Sequence, residues 1–388
     1  KLGVGGFAEV FLADDPLLHR QVAIKIPHTK WVADPSARRR FLREARALGQ
    51  MQHSAIVTVF ESGEHDGIPF LVMEHCDAGN LDQYLTELSQ RQHPRVCASL
   101  VHQIAEGLSL THQLGIMHRD IKLRNVLLAH VSEVTGPGSE SHSSCPDVPP
   151  EWRGIQPKLS DFGLAKWLDE EFDAQKTQSG FVAGTLQYMA PEQAAGKTDQ
   201  ITPATDVHGL GVILYEMLTG QSPFAGDTPI ETSWNILSRE PIAVRTLRPA
   251  VPRDLETICH KALEKDPTRR YPSALEMAED LRRFLDDREI LAQPVSKFER
   301  AWRWCRRHPE LAGLLLVVCL SVSLISMGGW WYSTRLADTV RSETRLRESE
   351  SRLLEESGRR EIVLMQKTEE LTSAIQREQL MTYVTRMR

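Results

Sequence analysis

The spacing of apolar positions changes several times along this chain, and each change predicts an element. Residues 22–26 read VAIKI, a buried strand with a lysine inside it, and residues 68–75 read IPFLVMEH, a second apolar strand that runs into the polar stretch 76–80. Between them, FLREARALGQM at 41–51 puts apolar residues at 41, 42, 45 and 48, the period of a helix with one buried face and Glu44 off that face. The apolar run at 210–218 predicts a core helix. Residues 131–157 are rich in Ser, Pro and Gly, lack any such period, and predict a surface loop. Residues 311–332 hold 22 positions without a charge, close to the ~20 that cross a bilayer, and predict a membrane span. From 334 to 388 the chain is nearly free of Gly and Pro and dense in Glu and Arg, so one long helix is expected. Its leucines at 346, 353, 364 and 371 step by seven, eleven and seven residues, and Arg360 falls on the seam. A coiled coil and a single solvated helix both fit that pattern.

Composition removes some classes of function. A net charge of −6 over 388 residues, with 25% of them charged, gives no basic field for nucleic acid. The six cysteines, at 76, 97, 145, 259, 305 and 319, form no CxxC pair or metal spacing and suit a reducing cytosol. No signal peptide opens the chain.

The chemistry lies in short motifs. Residues 118–125 read HRDIKLRN, residues 160–163 read SDFG, and residues 2–10 read LGVGGFAEV, where Gly3 and Gly5 let backbone amides approach phosphate oxygens. Lys25, inside a buried strand, needs anions to offset its burial. In this chain order the motifs match the template for moving a γ-phosphate from ATP to a hydroxyl. The chain resembles the eukaryotic-type Ser/Thr protein kinases over residues 1–285, and the apolar segment at 311–332 narrows the likeness to the transmembrane kinases of bacteria.

The resemblance implies an α+β bilobal protein-kinase fold, with a β-rich N-lobe and a helical C-lobe, followed by one transmembrane helix and a long helix. It implies ATP and Mg2+ as cofactors and protein substrates. Gly3, Gly5 and Val10 would cover the nucleotide, with Ala8 where the family has a third glycine. Lys25 would pair with the α- and β-phosphates and with Glu44. Met73 would be the gatekeeper, and backbone groups of Glu74 and Cys76 would meet adenine. Asp120 would be the catalytic base, Lys122 would neutralise the moving phosphoryl group, and Asn125 and Asp161 would hold the metal. His118 would be a packed structural histidine. Arg119 marks the subgroup switched by a phosphate in the activation loop, for which Thr177 and Ser179 are the candidates. Thr185 would belong to the substrate site, Glu192 would pair with Arg270, and Asp206 would brace the backbone around Arg119.

Two departures stand out. Asn125 and Asp161 lie 36 positions apart, where the family has about thirteen, so residues 131–157 would be an insertion. The chain also opens inside its nucleotide loop, so a preceding strand is expected to be missing. Residues 286–310, with the basic run RAWRWCRRHP, would be juxtamembrane. The protein would then sit in the cell membrane as a single-pass chain, its kinase domain cytoplasmic where ATP is found and residues 334–388 extracytoplasmic, with self-association through that helix. A pseudokinase scaffold and a small-molecule kinase are the alternatives. The first would require the loss of one of Lys25, Glu44, Asp120, Asn125 or Asp161, and the second is disfavoured by Lys122 and Thr185.

Overall fold

The computed structural model describes residues 1–5, 8–29, 35–88, 92–131, 149–162, 186–293 and 309–386. It divides into two units, Lys1–Pro294 and Val295–Arg388.

The first unit opens with a five-stranded antiparallel sheet: β1 (Gly3–Val4), β2 (Ala8–Asp15), β3 (Arg20–Pro27), β4 (Val59–His65) and β5 (Ile68–Glu74), in the spatial order β1-β2-β3-β5-β4. The β4–β5 hairpin closes through Asp66 and Gly67, both at positive φ, the backbone that an Asp-Gly turn supplies at little strain. Helix α1 (Pro35–Gly49) packs beside this sheet with Phe41, Ala45 and Leu48 buried, the face anticipated from the spacing.

Below the sheet lie α2 (Leu81–Leu88), α3 (Pro94–Gln113), α4 (Pro203–Thr219), α5 (Pro229–Ser238), α6 (Arg253–Ala262) and α7 (Ala274–Leu285), with a two-stranded ribbon of β6 (Val126–His130) and β7 (Ile155–Leu159) facing the sheet. Helix α4 is the axis of this lobe. Its residues from Ala204 to Thr219 are buried except Glu216, and Gly220 ends it in the left-handed conformation with its N–H returned to the Glu216 carbonyl. Two glycines let neighbours approach closely. A Cβ at Gly209 would fall 2.7 Å from Ile121, and one at Gly211 would fall 2.8 Å from Ala262. The first of these seats α4 against the segment HRDIKLRN.

His208, also on α4, is fully buried and stacks on Phe224, with neither ring nitrogen hydrogen-bonded among the described residues. Burial holds its imidazole well below the ordinary 6.5, helped by Arg270 and Lys265. The unfolded chain therefore takes up a proton below that value while the folded one does not, so stability is lost as pH falls through 6.5. His208→Phe should flatten the acid limb of a plot of thermal stability against pH, by up to about 1.4 kcal/mol per pH unit.

Two sequence-based boundaries change. The segment 131–157 is not loop throughout: Pro150–Trp152 form a 3-10 turn and β7 begins at Ile155. Trp152 is buried, lies 4.8 Å from the Tyr84 ring and donates its indole N–H to Gln92 Oε1 at 3.0 Å. An indole needs an apolar socket, and its surroundings fold the end of the segment back onto α2. Trp152→Phe should destabilise by about 1 to 3 kcal/mol in chemical denaturation, because the Gln92 oxygen loses a buried donor. Residues 132–148 lie outside the described residues. The second boundary is the end of the catalytic unit. Asp280 accepts the backbone N–H of Leu291 at 2.7 Å and of Ala292 at 2.9 Å, and Ala292 is buried, so residues 286–293 pack onto the C-lobe instead of leading away from it.

In the second unit, one helix, α8 (Pro309–Arg386), covers the two segments that the sequence divides at 332–334. Along it the described apolar side chains are exposed. Among the described residues no helix is long and apolar enough to cross a membrane. The side chains of Leu311, Ala312, Leu315 and Leu316, which belong to the apolar run, are not among those described.

Candidate active site

Strand β3 is the first element of the site. Its Lys25 stands opposite Val10 on β2 and Leu71 on β5, in a register that leaves a long side chain only the space beneath the sheet. There its ammonium meets Asp161 Oδ1 at 2.6 Å. The Lys25 side chain is 13% exposed, so the pair is sheltered on the lysine side, while Asp161 is 47% exposed and faces the cleft. Lys25 is the main cause that holds the Asp161 carboxyl below the usual carboxylate range. The side chain of Glu44, the other expected partner, lies outside the described residues, although its backbone is in α1.

Above the cleft, Gly5 donates its N–H to Ala8 O at 2.8 Å and its carbonyl meets His28 Nε2 at 3.0 Å. Gly3 pairs with Val10, and a Cβ on Gly3 would meet nothing within 4 Å, so no neighbour crowds that position. Behind the cleft, Met73, Leu48, Val59, Leu71 and Phe162 line a small apolar pocket that reaches Lys25 and Asp161. The Glu74 carboxylate pairs with Lys158 at 3.0 Å, so only its backbone is left for the adenine contact expected of it. Burial pushes the Cys76 thiol up to about 12, which makes it unreactive.

The opposite wall is the segment from His118 to Asn125. Lys122 Nζ lies 2.8 Å from Asp120 Oδ2, and the amide of buried Asn125 donates to the Asp120 carbonyl at 2.8 Å and to Asp120 Oδ2 at 3.1 Å. One carboxylate oxygen of Asp120 is thus fixed by two donors.

His118 ties the two walls together. Its Nδ1 accepts the Asp120 N–H at 3.3 Å, which places the ring proton on Nε2, and Nε2 donates to Ser160 O at 2.8 Å. The ring is fully buried, packs 4.8 Å from Phe162 and is held below its ordinary pKa by burial, so it stays neutral. The structural part expected for it has this physical content: one imidazole fixes the backbone beside Asp120 to the backbone beside Asp161.

Arg119 and Asp161 both sit at positive φ, 62° and 59°, a conformation that side chains adopt at a cost of about 1 to 3 kcal/mol and that surrounding structure must impose. Asp206 imposes it at Arg119. Its carboxylate accepts the N–H of His118 at 2.8 Å and of Arg119 at 2.7 Å. Burial alone would raise the Asp206 carboxyl, but His112 and the His118 N–H outweigh it and hold it below the usual range.

Two further positioning residues were not anticipated. His112 Nε2 lies 2.8 Å from Asp206 Oδ2, and Gln193 Nε2 donates to Arg119 O at 2.8 Å. Their partners are 94 and 74 residues away, and nothing in the local sequence marks either contact. Farther from the cleft, Arg270 makes two 2.7 Å bonds to Glu192, both side chains being at most 2% exposed. Gly163, Thr177, Ser179 and Thr185 lie outside the described residues.

Residues 1–281 match the Protein kinase domain family. The chain belongs to that family. Among curated relatives it is 34% identical over 284 residues to the serine/threonine-protein kinase PknB of Mycobacterium leprae, covering 72% of this chain and 41% of that protein. To the serine/threonine-protein kinase PrkC of Bacillus subtilis it is 33% identical over 285 residues, covering 74% of this chain and 40% of the relative. The chain thus spans about two fifths of the length of these relatives. Among solved structures, the PknI kinase domain of Mycobacterium tuberculosis matches with a TM-score of 0.51 at 23% identity, over 72% of this chain and 92% of that one. That likeness supports the bilobal fold.

Proposed function

We propose that this chain transfers the γ-phosphate of ATP to serine and threonine hydroxyls of proteins, and that it does so anchored in a membrane. The observation that carries the reading is the His118 bridge, which ties the backbone of Asp120 to that of Ser160, next to Asp161, across one cleft. Asp120 would orient the acceptor hydroxyl and take its proton, with its second oxygen held still by Lys122 and Asn125. Lys25 and Asp161 would face the phosphates beneath the hairpin that carries Gly3 and Gly5. Asn125 and Asp161 are hard oxygen donors and too few to enclose a cation, which suits Mg2+, an ion that keeps water and phosphate oxygens as its other ligands. When bound, magnesium supplies neutralisation of phosphate charge.

Activation would follow phosphorylation of Thr177 or Ser179, an idea motivated by their place between Asp161 and Glu192 and by Arg119 beside Asp120. Phosphopeptide mapping of the active chain that finds neither residue modified would remove that part. Membrane anchoring rests on the 22 uncharged residues at 311–332, with Trp330, Trp331 and Tyr332 at one end and Trp302 and Trp304 before the other. The catalytic unit would lie in the cytoplasm with its ATP, and residues 334–388 outside it.

The test is incubation of the full chain with Mg-ATP and a generic basic protein, followed by phosphoamino-acid analysis. Phosphoserine and phosphothreonine support the proposal, and phosphotyrosine alone contradicts it. Alkaline carbonate extraction of expressing cells tests the anchor: the chain should stay with the lipid, and its release into the wash would overturn that half.

A further inference from the structure

We infer that helix α8 pairs in parallel with α8 of a second copy, through a straight apolar stripe bordered by acidic residues on one side and basic residues on the other. The stripe follows from the leucine spacing. At about 100° per residue, a step of seven falls short of whole turns by about 20° and a step of eleven overshoots by about 20°. Leu346, Leu353, Leu364 and Leu371 alternate these steps, so each pair of steps spans eighteen residues and returns to the starting direction after about five turns. Ile375 falls on the same line and extends it to about 44 Å. A line that stays straight on a 3.6-residue helix lets two helices meet along it without supercoiling. Leu353, Leu364, Leu371 and Ile375 are all exposed in the single chain.

The charges choose the occupant and its direction. Glu343, Glu350 and Glu361 lie about 40 to 60° to one side of the stripe, and Arg360, at the edge of the seam, and Lys367 lie as far to the other, while Arg345 and Arg347 stand about 100° round on the basic and the acidic side respectively. Glu356 and Glu378 interrupt the basic side, and Glu356 is engaged by Arg360 on its own helix at 3.4 Å. Around a two-fold axis parallel to the helices, the acidic flank of each copy meets the basic flank of the other. Turning one helix end for end sets acid against acid and base against base. A second copy running parallel is therefore the partner whose charges fit. The membrane reading of residues 311–332, on which this one clause rests, requires the same direction, because two copies inserted alike run alike.

The test uses the full chain in detergent, with Cys145→Ser, Cys305→Ser and Cys319→Ser leaving only Cys76, Cys97 and Cys259 of the native thiols. Leu346→Cys and Ile375→Cys, at the two ends of the stripe, are oxidised singly and as a mixture, beside Ile362→Cys on the far side of the helix as a control. The parallel pair predicts that each single variant of the stripe links to itself, that the mixture adds no 346–375 species, and that the control stays monomeric. A 346–375 species without self-linking means an antiparallel pair and overturns the inference. Equal linking by the control means random collision, and no linking at all means a solitary helix, and either result overturns it too. A charge test stands beside this. Reversing Glu350 and Glu361 to arginine should weaken association about tenfold at low salt, and adding Arg345→Glu, Arg360→Glu and Lys367→Glu should restore it. Phosphoryl transfer, measured on the same samples, fails separately if the catalytic reading is at fault.

Discussion

Asp120→Asn is expected to slow phosphoryl transfer about 10²- to 10⁴-fold while leaving ATP affinity nearly unchanged, the signature of losing a proton acceptor that acts in the transition state. The substitution keeps size and shape. The remaining amide can still meet Lys122 or Asn125, which now hold the carboxylate at 2.8 and 3.1 Å, so the loop should keep its geometry. What disappears is the basic oxygen. Lys25 and Asp161, the residues proposed to face the phosphates, lie on the other wall of the cleft, so a titration with a fluorescent ATP analogue should give a similar dissociation constant. A variant that transfers as fast as the parent would move the proton acceptor elsewhere.

Arg270→Met is expected to destabilise the catalytic unit by about 3 to 5 kcal/mol. Arg270 places five contacts in a nearly dry site: two oxygens of Glu192 and the carbonyls of Ala204, Glu264 and Lys265. Without it, the Glu192 carboxylate stays buried with neutral donors, among them Thr205 at 2.8 Å, and no facing cation among the described residues. Burial pushes the Glu192 carboxyl up in the native protein, and the bonds from Arg270 reverse that and hold it below its usual range. Removing the guanidinium leaves burial to dominate, so the folded variant should bind a proton that the unfolded chain releases. The penalty is then greatest at neutral pH and shrinks as pH falls through the carboxylate range. Urea unfolding at two pH values reads both effects. The double variant Glu192→Leu/Arg270→Met should recover much of the loss, since no lone charge remains.

How much of this was legible in the sequence depended on whether the information was local. The strands around Lys25 and Met73 follow from short apolar runs and the buried face of α1 from a period of 3.6; the strands end within two residues of the runs, while α1 starts at Pro35, six residues before its pattern. The catalytic segment was legible because its chemistry needs several groups within eight residues, from His118 to Asn125. The contacts that hold these groups in place join distant segments. His112 and Gln193 act on Asp206 and Arg119 through packing that no spacing encodes. Trp152 did leave a signal, a large aromatic residue inside a polar Ser- and Pro-rich stretch, and its burial is why the surface-loop reading fails at the end of that segment. The sequence assigns residues 286–293 to a juxtamembrane segment, since acidic residues open it and a basic run follows. They dock instead through backbone N–H groups on Asp280, and main-chain bonds leave no mark on hydropathy.

The central claim, that the cleft of Lys25, Asp120 and Asp161 moves the terminal phosphate of ATP to a protein hydroxyl, is tested most directly by the fate of two labels. The full chain is incubated with Mg-ATP labelled at the γ-phosphate and, in parallel, at the α-phosphate, with a protein acceptor present. The account predicts that only the γ-label becomes covalently attached, on serine or threonine, and that Asp120→Asn loses it. Retention of the α-label, which would mean transfer of a nucleotidyl group, or no label at all on a chain that binds ATP, would contradict it.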